Sequence, residues 1–186
     1  MFDSNGEMLA SGGSDCMVRL WNVKKGRDTQ KLDKMHTETV LCVAFSHDGG
    51  TLASGSRDNC IYLWNPVVGT VIAGPLRGHT NGVTSVTFSP DGSILASGGG
   101  DNVIRLWNAI DGTPLRNAIF TGHKFPVSCV EFSPDGQSLA SGSDDTTVRL
   151  WDPSLVLSRS EDAVQRDALR RTEAALKEAF GRTQTV

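Results

Sequence analysis

Aromatic residues are scarce in this chain, with one Tyr, seven Phe and four Trp among 186 residues. Long apolar runs are missing altogether. Nothing approaches the roughly 18 residues that a membrane-spanning helix needs, and the first residues carry no basic-then-apolar export signal. Cysteine is sparse too: Cys16, Cys42, Cys60 and Cys129 make no C-x-x-C pair and no Cys/His metal spacing. They read as small buried side chains in a reducing compartment, cytoplasm or nucleus, instead of ligands or staples. Neither H-E-x-x-H nor a G-x-x-x-x-G-K-[ST] phosphate loop occurs. Gly98-Gly99-Gly100 lies in a turn between extended runs and does not open a helix, so a nucleotide has no cradle there. From these absences we expect no cofactor and no metal.

Charge of either sign is also modest. The net value is −3, and the segment from Ser154 onward holds six basic and five acidic residues, leaving twelve basic against sixteen acidic before it. An acidic region is a poor match for a phosphate backbone, so nucleic acid is not an expected partner, and neither is a membrane. With 38% hydrophobic residues the chain can bury a sizeable core, which excludes global disorder. Twenty Gly suit a turn-rich all-β protein.

What the chain does have is a repeat. Trp21, Trp64, Trp107 and Trp151 fall 43, 43 and 44 residues apart. An Asp lies six residues before each of them (Asp15, Asp58, Asp101, Asp145), and a Ser lies ten before (Ser11, Ser54, Ser97, Ser141). A His stands 22 residues before the last three Asp, at His36, His79 and His123; the first copy begins too late to hold one. The best-defined copy runs from Gly78 to Asn108. In it Val83 to Phe88 is extended, and the turn Ser89-Pro90-Asp91-Gly92 combines a preset φ with a Gly tolerant of positive φ. Ile94 to Ser97, the β-branched run ending at Trp107 and a stretch from Pro114 to Phe120 complete four short antiparallel strands.

A fixed period of this length marks a repeat architecture. Gly78-His79 and Gly122-His123 at one end of a copy and Trp151-Asp152 at the other resemble the WD-repeat β-propellers. The earlier copy has Met35-His36, and the other three Trp are followed by Asn. The resemblance implies an all-β, incomplete WD-type propeller of four-stranded antiparallel blades over 1–153, with repeats at about 1–32, 33–76, 77–120 and 121–153. Blade one lacks its inner strand, and no Gly-punctuated outer strand is legible after Pro153. The remainder, 154–186, reads as a tail with one helix from Ser158 to Phe180: Ser158 and Glu161 fit a capping box, and Gly181 follows as a stop.

An arc of about three and a half blades leaves two apolar flanks and an unpaired edge facing water. Three arrangements would cover them: a longer protein of which this is a fragment, two copies completing a ring, or the tail acting as a lid. The fragment is the preferred expectation, because end repeats normally carry caps.

The Ser, His and Asp of each copy could be taken for a nucleophilic set. A hydrolase needs one activated nucleophile in one cleft, whereas here His36/Ser54/Asp58/Trp64 recurs as His79/Ser97/Asp101/Trp107 and His123/Ser141/Asp145/Trp151. The resemblance implies a hydrogen-bond network from Asp through His and Ser to the Trp indole, broken in the first copy, where Ser11, Asp15 and Trp21 lack the His. We therefore expect no enzyme. The resemblance also places partner contacts on the edge bearing the His loops (Glu38, Thr80, Asn81, Lys124, Phe125) and the turns before each Asp (Ser14, Arg57, Asp144), with Phe125 first and Arg57 next. The function it implies is a non-catalytic protein-interaction scaffold, intracellular, with other proteins or a second copy as partner. The alternatives are a sensor segment of a larger signalling or enzymatic protein and a truncated fragment without activity of its own.

Overall fold

A computed structural model describes residues 1–154, with backbone only for 27–31. The helix expected over Ser158 to Phe180 lies outside the described residues, as does any outer strand after Pro153. Strands account for half of the described residues. β1 (Met8–Gly12), β2 (Val18–Asn22) and β3 (Arg27–Lys31) form the first sheet in that order. β4 (Val40–Phe45), β5 (Leu52–Ser56), β6 (Ile61–Asn65) and β7 (Thr70–Leu76) form the second. The third is β8 (Val83–Phe88), β9 (Ile94–Gly99), β10 (Ile104–Asn108) and β11 (Pro114–Phe120), and the fourth is β12 (Val127–Phe132), β13 (Leu139–Ser143) and β14 (Val148–Trp151). Every neighbouring pair is antiparallel.

The turns follow from residue type. Gly6, Gly49, Gly92 and Gly136 close the hairpins between first and second strands with φ of 69°, 71°, 73° and 71°, a conformation a side chain would strain. Blade one keeps a remnant of its inner strand: Phe2 bridges Leu9, and the Met1 carbonyl accepts from the Ala10 amide at 2.8 Å. The three complete inner strands, β4, β8 and β12, each carry a register shift at the same place, skipping Leu41, Thr84 and Ser128. A bulge bends its strand and increases the twist.

The core lies between blades. Ile61 and Leu63 of blade two pack in one cluster with Val83, Phe88, Leu95 and Trp107 of blade three. Val18 and Leu20 meet Val40, Phe45, Leu52 and Trp64 in the same way, and Ile104 and Leu106 meet Val127, Val130, Phe132 and Leu139. In each case the strand that carries one blade's Trp supplies the knobs, and the strands before the Trp strand of the next blade, together with that blade's Trp, receive them. The sequence pattern of an incomplete propeller is thus matched by four stacked blades, with no further blade at either end among the described residues.

Candidate functional site

Each blade joins its His loop to the turn before its Asp through a chain of buried polar groups. His79 Nδ1 lies 2.9 Å from Asp101, its Nε2 lies 2.8 Å from Ser97 Oγ, and the Trp107 indole donates to that same oxygen at 2.8 Å. Blade two repeats this at 3.0, 2.8 and 2.8 Å through His36, Asp58, Ser54 and Trp64. Blade four does so at 2.8 Å for each link through His123, Asp145, Ser141 and Trp151. A carboxylate only accepts and an indole only donates. A neutral imidazole protonated on Nδ1 therefore satisfies every member: it donates to Asp, accepts the Ser hydroxyl proton on Nε2, and leaves the Ser oxygen for the indole.

The first blade has no His, and Asp15 takes another partner. Its carboxylate accepts from the Arg19 guanidinium, while the Trp21 indole still donates to Ser11 at 2.9 Å. The network expected to be broken is half retained, with an exposed ion pair in place of the buried imidazole.

Electrostatics follow the same geometry. Burial pushes the Asp101 carboxyl up, but its hydrogen bond from His79 and those from backbone amides outweigh this and hold it below the ordinary aspartate value. Asp58 behaves likewise, with the Thr37 amide and His36 opposing burial. Asp145 is held well below the ordinary value, first by the Thr147 hydroxyl. Stability gained from such groups is present above the unfolded value near pH 3.9 and is lost as pH falls through the folded one.

These chains fix an outer edge. Both the His loops and the Asp turns lie at one end of the blades, because consecutive strands alternate direction. The two are laced together: the Arg57 amide donates to the Thr39 carbonyl at 2.9 Å, that of Gly100 to Gly82 at 2.8 Å, and that of Asp144 to Pro126 at 3.0 Å. Ser56 and Ser143 add hydroxyl bonds to the Glu38 and Phe125 carbonyls at 3.0 and 2.9 Å, a tie that the sequence signals only as a Ser two residues before Asp. On this braced edge Ser14, Glu38, Arg57, Thr80, Asn81, Lys124, Phe125 and Asp144 are all exposed. Leu41, which sequence reasoning missed, joins them at the bulge of β4, where it packs beside Arg57 and Gly82.

One cysteine is buried as expected and three are not. Cys60 is buried, Cys16 and Cys42 are partly covered, and Cys129 is exposed. Cys42 and Cys129 occupy the same repeat position, but the Cys42 sulfur sits 3.6 Å from the Val83 carbonyl of the next blade, and burial pushes its thiol up to about 12. Cys129 has no next blade over it among the described residues.

Among the described residues no group of three or more His, Cys, Asp or Glu is placed to hold a metal ion, and no helix is long and apolar enough to cross a membrane. No curated protein matches the chain. The WD domain, G-beta repeat family matches at residues 1–22, 28–65, 70–108 and 112–152, the last three matches each joining the outer strand of one blade to the next three strands of the following one. Spacing, blade topology and these four matches agree, and the chain belongs to the WD-repeat family.

Proposed function

We propose that the chain is a non-catalytic scaffold whose His-loop edge docks other proteins, with Phe125 and Arg57 as its leading contacts, and whose open flanks take up a second copy. WD repeats generally serve as protein-interaction scaffolds, and the reading for this chain extends that to particular residues. Burial of the recurrent serines carries it: Ser54, Ser97 and Ser141 are 0%, 0% and 2% exposed, bonded on one side to imidazole and on the other to indole. A hydroxyl closed to solvent, its oxygen already taken by an indole N–H, can reach no substrate. The same chains hold the edge rigid, and rigid, exposed aromatic and Arg side chains are what protein interfaces use as anchors.

A comparative capture experiment tests the edge. Proteins retained by the wild-type chain should fall at least about tenfold with Phe125→Ala/Arg57→Ala, the loss expected when hot-spot side chains are truncated. They should be unchanged with Val67→Ser/Val68→Ser, exposed apolar residues in a turn at the opposite end of blade two. Equal loss from both variants, or loss from the second alone, refutes the assignment of the edge.

A further inference from the structure

One repeat position behaves differently in the last blade. Val18 and Leu20, Ile61 and Leu63, and Ile104 and Leu106 are all 2% exposed or less, because the next blade covers them. Their counterparts Val148 and Leu150 are 75% and 76% exposed. The opposite flank shows the converse. Phe45, Phe88 and Phe132 are at most 8% exposed, whereas Phe2, at the same position in blade one, is 56% exposed. Leu9 and Trp21 are half-buried where Leu52 and Trp64 are covered. Among the described residues, one end of the arc thus offers knobs with nothing to fill, and the other offers a receiving surface with nothing in it. The three internal interfaces show what each is shaped to meet.

We infer that Val148 and Leu150 of one chain dock against Phe2, Leu9 and Trp21 of a second copy, head to tail, and that two copies close a ring of eight blades. This rests on the self-association part of the proposed function and assigns it two faces. A head-to-tail contact closes only if the rotation between copies completes a circle, and otherwise grows into open filaments. Four blades per chain give eight for a pair, within the four to eight at which propellers close. Each copy then uses both flanks once and leaves none exposed, which an association through one face used twice does not do. The receiving face is thinner than the internal ones. Blade one has Phe2 and Leu9 but only a remnant of the inner strand, so nothing in it matches the buried Val83 and Val86 of blade three. The contact is therefore concentration-dependent, and the chain exchanges between one copy and two.

A charge-swap experiment separates the possibilities. Leu150→Lys and Phe2→Glu alter exposed side chains, so each variant folds, as far-UV circular dichroism will show. By sedimentation velocity the wild type should move from monomer to dimer with rising concentration, with nothing larger. Each variant alone should shift that midpoint at least about tenfold upward, since both contacts in its ring are damaged. Mixed in equal amounts they should regain dimer, because one contact of the mixed ring is wild type and the other pairs the introduced ammonium with the introduced carboxylate. A wild type that stays monomeric at all concentrations overturns self-association itself. A wild type that dimerises while Phe2→Glu has no effect, or a mixture that fails to recover, leaves self-association standing and overturns the two-face assignment.

Discussion

Leu63→Ala is expected to lower stability by about 2–5 kcal/mol, and Leu150→Ala by less than about 0.5 kcal/mol, although the two leucines occupy the same place in their repeats. Leu63 is 0% exposed in the cluster between blades two and three, where it packs with Val83, Leu95 and Trp107. Truncation removes buried methyl groups and leaves a hole that two rigid sheets close only in part. Leu150 is 76% exposed and has no such neighbour among the described residues. Denaturant melts at a concentration where the chain is monomeric will measure both. Equal losses would mean that the last flank is covered within one chain.

Breaking the buried polar chain in blade three is the second large effect. His79→Ala should cost about 1–3 kcal/mol, because Ser97 and Asp101 lose a partner in a site closed to water. Asp101→Asn keeps the shape but loses the charge-assisted bond, and belongs in the lower part of that range. It also changes the acid limb of the stability curve. The wild-type carboxyl is held below its ordinary value, so its contribution is complete above about pH 4 and disappears as pH falls through the folded value. The Asn variant has nothing to protonate there and should lose less stability between about pH 4 and pH 2. Ser11→Ala in blade one, whose chain has no His, should cost less than Ser97→Ala. Identical melting of wild type, His79→Ala and Asp101→Asn would remove the structural role of the motif.

Much of this architecture is legible in the sequence. The period of Trp, Asp, Ser and His locates the repeats, and the strand limits expected for blade three, Val83 to Phe88 and Pro114 to Phe120, are those of β8 and β11. The turn Gly residues are legible because positive φ selects for them. Burial is not. Ile61-Tyr62-Leu63-Trp64 and Val148-Arg149-Leu150-Trp151 read alike, yet exposure is decided by a neighbouring blade that no local pattern reports. The same holds for Cys42 and Cys129, alike in sequence and opposite in surroundings. Leu41 escapes sequence reasoning because the bulge that turns it outward at the edge has no turn residue to announce it. The Arg19 pairing of Asp15 is hidden for another reason: Arg105 and Arg149 recur at that position, and in those blades the Asp is already engaged by His.

Hydrogen exchange of the four Trp indole N–H groups, followed by NMR, reads the buried chains one blade at a time. Trp64 and Trp107, each 1% exposed and each bonded to a Ser that a His also holds, should exchange last. Trp21, half-buried and bonded to a Ser with no His behind it, should exchange first and at least about tenfold faster. Protection of Trp21 equal to that of Trp107, or exchange of Trp64 and Trp107 at the rate of a free indole, would contradict the view that Asp, His and Ser brace the blades from within.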